Sequence, residues 1–97
     1  MQLTGQQKKH LRGMAHKLKP IITVGDKGIT PALLAELNAA LEHHELIKVK
    51  IRSADRSQRD ATIAELTANC EAQLVGRIGN TASLYKAAGD KPKITLA

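Results

Sequence analysis

The chain of 97 residues has no phenylalanine and no tryptophan, and Tyr85 is its one tyrosine. Its core must therefore be aliphatic, built from Leu, Ile, Val, Ala and Met. Cys70 is the one cysteine, which excludes an internal disulfide and suits a reducing compartment. No apolar stretch at the N-terminus has the form of a signal peptide, and no run approaches the roughly 20 residues of a membrane span. The expected location is the cytoplasm, away from membranes. Acidic residues are missing from the first 25 positions, and lysine and arginine are missing from 29 to 45.

What is present is cationic and unevenly placed. The formal net charge is +6. Residues 1–28 carry Lys8, Lys9, Arg12, Lys17, Lys19 and Lys27 against Asp26 alone, while 29–45 carry Glu36, Glu42 and Glu45. Scattered charge would serve solubility. Segregated charge points to a polyanion on one face, with nucleic acid the first candidate. A chain of this length forms one domain, 1–97, and buries only about 60–70% of its unfolded surface, which leaves no room for a second domain.

Thr4 followed by Gln7 makes a capping box, and Leu11, Met14, Ala15 and Leu18 recur as one apolar helical stripe. Lys8, Lys9, Arg12, His16 and Lys19 share a neighbouring arc of about 100°, and Pro20 ends the helix. Residues 21–24 read as a short buried strand. Thr30 with Pro31 opens a second helix, whose buried face is Leu34, Leu37 and Leu41. Residues 46–52 alternate, with Ile47, Val49 and Ile51 inward and Lys48, Lys50 and Arg52 on a wet face that holds no acid. A third helix starts at Asp55 or Ser57 and buries Ile63, Leu66 and Cys70. Residues 73–78 and 82–86 then form a hairpin around Gly79-Asn80-Thr81.

The order α-β-α-β-α-β-β predicts an α/β protein of the two-layer α+β kind, a four-stranded mixed sheet with three helices packed against it. Strands separated by helices imply parallel crossovers, and the closing hairpin adds an antiparallel pair. The core spans about 3–86. Residues 87–97 form a loose tail, with a short edge strand near 94–96.

Three groups of residues are candidates for function. In the turn Gly25-Asp26-Lys27-Gly28, two glycines let a ligand approach the backbone without meeting a Cβ. The helix after it aims free N–H groups at the same space, and Lys27 adds a cation, a combination suited to phosphate. The bare pattern equally describes a plain strand-to-helix turn, and the second such pattern, Gly76-Arg77-Ile78-Gly79, reads as strand running into hairpin. The helix stripe Lys8, Lys9, Arg12, Lys17 and Lys19 is the second group. If the helix runs antiparallel to the next strand, Lys8, Lys9 and Arg12 stand nearer the glycine turn than Lys17 or Lys19. The wet strand face Lys48, Lys50 and Arg52 is the third, with Arg77 a possible addition. No aromatic ring is available there to stack bases, which favours contacts to backbone and shape.

Enzyme classes find little support. His10, His16, His43, His44 and Cys70 lack metal-ligand spacing. His43-His44 suits a helix C-terminus, and Cys70 reads as a small buried hydrophobe. No carboxylate pair, nucleophile motif or Walker loop is present.

The stretches 11–20 (LRGMAHKLKP), 24–30 (VGDKGIT) and 43–50 (HHELIKVK), with Ile78-Gly79 and Leu84-Tyr85-Lys86, together resemble the CRM domain family, named for chloroplast RNA splicing and ribosome maturation. The resemblance runs from about Leu3 to Lys86. It implies a fold like the C-terminal domain of translation initiation factor 3. It also implies an RNA-binding loop at Gly25, Asp26, Lys27 and Gly28, with Arg12, Lys17 and Lys19 adjoining. Bacterial members of the family stand alone and associate with precursors of the large ribosomal subunit, and plant members place the domain in group II intron splicing factors. This chain has Asp26 where the family often has Lys or Asn, and Lys86 where Arg is usual, which keeps the charge but loses the guanidinium fork.

The expectation is a monomeric, non-catalytic binder of ribosomal RNA that assists large-subunit assembly without cofactor, metal or small-molecule substrate. Two other readings stay open. One is a protein-interaction module whose basic face docks an acidic partner. The other is a KH-like binder of single strands, although KH domains set the glycine turn between two helices.

Overall fold

A computed structural model describes residues 3–25, 27–53 and 55–87. Helix α1 (Gly5–Ala15) opens with the expected capping box: the Gln7 N–H donates to Thr4 Oγ1 at 3.1 Å and the Thr4 N–H to Gln7 Oε1 at 2.9 Å. The helix stops at Ala15, short of the expected Leu18. Lys17 N–H turns back to Met14 O and Leu18 N–H to Ala15 O, because the chain must be extended before it enters Pro20. The apolar stripe is correspondingly narrower: Leu11 and Ala15 are buried, while Met14 and Leu18 are exposed.

Strand β1 (Pro20–Val24) lies at a sheet edge, where a proline that cannot donate is tolerated. Only Ile22 and Val24 are buried; Ile21, expected inside, is 49% exposed. Helix α2 (Pro31–His44) is capped by Thr30, whose Oγ1 accepts from Leu33 N–H at 3.1 Å. Strand β2 (Leu46–Ile51) follows, then α3 (Arg56–Cys70) with Asp55 as its N-cap, then β3 (Gln73–Ile78) and β4 (Thr81–Tyr85). Gly79 takes a φ of 59° in the hairpin turn, a region that favours glycine.

The sheet order is β1-β2-β4-β3. β1 and β2 pair parallel, and β4 pairs antiparallel with both β2 and β3. The class, element order and mixed four-stranded sheet agree with the sequence reading. The layering adds to it. On one face, Ile22, Val24, Ile47, Val49, Ile51, Ala82 and Leu84 pack with Leu37 and Leu41 of α2 and Ile63, Leu66 and Cys70 of α3. On the other face, Leu46, Val75 and Tyr85 form a second cluster with Leu3, Leu11 and Ala15. Helix α1 thus covers part of the second face, beyond the two layers expected. The proposed edge strand at 94–96 lies outside the described residues.

Candidate nucleic-acid interface

The register of the sheet fixes how its second face is arranged, because residues two apart on a strand share a face. Leu46 and Tyr85 are paired in the ladder, with Gln73 beside Tyr85. This row is covered by α1. The next row is Pro20–Lys48–Ser83–Gly76, and beyond it Thr23–Lys50–Thr81–Ile78. Those two rows reach past the helix, and Lys50 is exposed. Arg52 comes just past the strand end, where its N–H donates to Val24 O at 2.9 Å. Gly25 follows Val24 directly, so Lys48, Lys50 and Arg52 lead along one face to the glycine turn. The strand end that carries Arg52 therefore lies beside the start of the glycine turn.

The turn is open. A Cβ at Gly25 or at Gly28 would meet nothing within 4 Å, and Lys27 is exposed. Gly28 N–H donates to Gly25 O at 3.0 Å, and Gly28 has a φ of 69°, which disfavours any residue with a side chain. Asp26 lies outside the described residues. The supply of free N–H groups from α2 is smaller than expected. Pro31 has none, Leu33 N–H goes to Thr30 Oγ1, and Leu34 N–H goes to Thr30 O. Charge on side chains must then carry more of any phosphate contact than the helix terminus does.

The first helix contributes differently from the sequence expectation. Leu3 N–H donates to Gln73 Oε1 at 3.0 Å, which ties the N-terminal end of α1 to the row farthest from the turn. Its C-terminal half reaches the next row: Arg12 Nη1 donates to Val75 O at 3.2 Å, and the Arg12 stem lies on Gly76. The expected order is reversed, with Arg12 and His16 the helix residues over the open rows. The arc of cations is also split. Lys9 and Lys17 border a shallow depression with exposed Met14 and Leu18, on the side of α1 away from the groove that Arg12 and His16 line. Lys8 is half-buried, and Lys19 is exposed just before Pro20.

Arg77 borders the groove that Lys48 lines, but its charge is engaged elsewhere. It pairs in the ladder with the core residue Ala82 and forms an ion pair with Asp60 of α3. The bulge between Leu74 and Gly76 shifts its direction, and the glycine inside the strand is the sequence signal for it. Residues 76–79 run from strand into hairpin as expected. Sequence reasoning missed Ser83 and Thr81, which share the face with Lys48 and Lys50. A serine among Ala82, Leu84 and Tyr85 was the available signal. Arg56 and Arg59 were also missed; with Arg77 they border a cavity of about 440 Å³ on the α3 side, and Arg59 Nη1 is spent on Ser53 O at 2.7 Å.

Among the described residues no group of three or more His, Cys, Asp or Glu is placed to hold a metal ion, and no helix is long and apolar enough to cross a membrane. His43 and His44 stack edge to face at the end of α2. Cys70 is buried, and burial pushes its thiol pKa up. Tyr85 is shifted up by burial and then by the nearby Glu45 carboxylate.

The model of the CRS1/YhbY (CRM) domain matches residues 3–86. The chain belongs to this family. A Pseudomonas aeruginosa protein named as a probable RNA-binding protein is 45% identical over 86 residues, covering 89% of this chain and 83% of its own. A Haemophilus influenzae protein named as an RNA-binding protein is 40% identical over 94 residues, 97% of this chain and 94% of its own. The solution structure of a Staphylococcus aureus hypothetical protein, described as a candidate RNA-binding protein, superimposes with a TM-score of 0.85 at 30% identity, over 99% of this chain and all of that one. In this CRM domain the motif at 24–30 is the open turn, and the motif at 43–50 carries the cationic strand that leads to it.

Proposed function

We propose that the chain is an RNA-binding protein that engages structured ribosomal RNA in precursors of the large ribosomal subunit, as a monomer in the cytoplasm, and assists assembly without catalysis. The observation that carries this is the placing of the cationic strand Lys48, Lys50, Arg52 next to the open glycine turn, through the bond from Arg52 N–H to Val24 O. Family membership and the names of the relatives support the RNA partner. Phosphate contacts supply most of the affinity, with Arg12, Lys17 and Lys19 adding charge from the first helix and the segment after it.

Titration of a folded ribosomal RNA fragment against salt tests this. For some 4–6 phosphates, log K falls against log salt with a slope of roughly −3 to −5. Lys27→Ala and Lys50→Ala should each lower affinity and flatten the slope by about 1. A salt-independent affinity would overturn the mechanism. Complexes that survive RNase would favour docking on an acidic protein. The glycine turn joins a strand to a helix, which speaks against the KH mode; tighter binding of short unstructured oligonucleotides than of folded RNA would restore it.

A further inference from the structure

Between the C-terminal half of α1 and the open rows of the sheet lies a groove of about 370 Å³, within the range of about 300–1,000 Å³ typical of small-ligand pockets. Its floor is made by Gly76, Ser83 and Thr81, and Ala15, Pro20 and Ile78 give it apolar walls. Arg12, His16, Lys48 and Arg77 also line it. Apolar walls with a few convergent polar groups are the make-up of a ligand site rather than of a solvated charged face.

Ser83 decides the matter. It is 8% exposed, it lines the groove, and its hydroxyl makes no hydrogen bond among the described residues. The Ser83 hydroxyl opens onto the groove, where it can bond a ligand placed there. In the ladder Ser83 stands between Lys48 and Gly76, and Thr81 stands beside Lys50 in the next row. Hydroxyls therefore lie on the floor with amines beside them.

The geometry points to this groove as a pocket for one unpaired nucleotide of the bound RNA. The inference rests on the RNA-binding reading above and adds a base contact to its phosphate contacts. A hydroxyl both donates and accepts, so Ser83 can meet the edge of any base, with Thr81, whose Oγ1 donates to Asn80 Oδ1 at 3.5 Å, adding an acceptor, but only for a base whose edge is free of a pairing partner. The guanidinium of Arg12 and the imidazole of His16 supply the planar surfaces that Phe and Trp provide elsewhere. Lys48, directly opposite Ser83, takes the phosphate of that nucleotide, and Lys50 continues the backbone path toward the turn. The pocket thus selects unpaired over paired nucleotides, with little preference among bases.

The test uses two RNA hairpins of one stem sequence, fully paired or carrying a single bulged uridine, titrated against the wild type and Ser83→Val. The wild type should bind the bulged hairpin roughly ten- to a hundredfold more tightly, the range of one base contact. Ser83→Val should lose that preference. A 4-thiouridine at the bulge should crosslink to the wild-type chain within residues 76–83, an arm that does not depend on the variant folding. UMP alone should bind far more weakly than the bulged hairpin. Equal binding of both hairpins by the wild type, with a steep salt slope, overturns the pocket and leaves the RNA reading intact. Binding of neither hairpin overturns both. Crosslinks confined to other residues, or UMP binding as tightly as the bulged RNA, overturn the pocket as an RNA contact.

Discussion

Arg12 lies flat against β3 because Gly76 has no side chain: a Cβ there would meet Arg12 Cδ at 2.9 Å and Cγ at 3.0 Å. The contact fixes the guanidinium at the edge of the open sheet rows and spends one of its donors on Val75 O. Gly25 is the opposite case, since nothing crowds its Cβ position and only a ligand could. Gly76→Ala should push Arg12 off its seat and destabilise the fold by about 1 kcal/mol, at the low end for overpacking. In an Arg12→Ala background the same change should be neutral or slightly stabilising, because alanine suits a strand interior better than glycine. A double-mutant cycle by urea unfolding measures the coupling. Additive effects would mean that Gly76 does not serve Arg12.

At the scale of elements, α2 shows how a helix start can be legible while its availability is not. Thr30 and Pro31 announce the terminus in the sequence, and the structure places it there. The same residues then narrow it, because the cap takes Leu33 N–H and proline brings no N–H of its own. Thr30→Ala should cost about 1 kcal/mol, a fall in Tm of roughly 4–8 °C for a domain of this size. RNA affinity measured well below that Tm should be unchanged. A clear loss of affinity there would return the α2 terminus to the binding surface. Other elements were legible to different degrees. The alternation in β2 gave both its core side and its cationic side, because period two leaves no other assignment. The end of α1 was misjudged by three residues, since Met14 and Leu18 fit a helical stripe that the approach to Pro20 cuts short. Arg77 pairs with the core residue Ala82 because the bulge before Gly76 interrupts the alternation of β3.

At the scale of the whole molecule, one sheet carries two cores. Period-two patterns say which residues are inside, but not what covers them. Leu46 and Tyr85 sit on the same face as Lys48 and Lys50, and only the placement of α1 makes them interior. That partial cover shapes the candidate site, because the groove is the step where α1 stops and the sheet continues. It explains why the lysines and the glycine turn were found in the sequence and Ser83 was not: its importance comes from its neighbours across the ladder.

Each core also holds one weak acid kept protonated by burial, Cys70 in the larger and Tyr85 in the smaller. Both are shifted upward, Tyr85 with a further contribution from Glu45. Above the ordinary thiol and phenol values, about 8.5 and about 10, the unfolded chain gives up protons that the folded chain retains. The folded state then binds more protons, so stability falls as pH rises. Below about pH 8 neither group is ionised in either state, and this contribution is flat. The Tm should therefore decline from about pH 8.5 and more steeply beyond about pH 10. In Tyr85→Phe the second decline should shrink while the first stays, and comparison with the wild type cancels whatever the lysines do in that range. An identical profile in the variant would mean that the phenol ionises equally well folded and unfolded, and that the smaller core admits water to Tyr85.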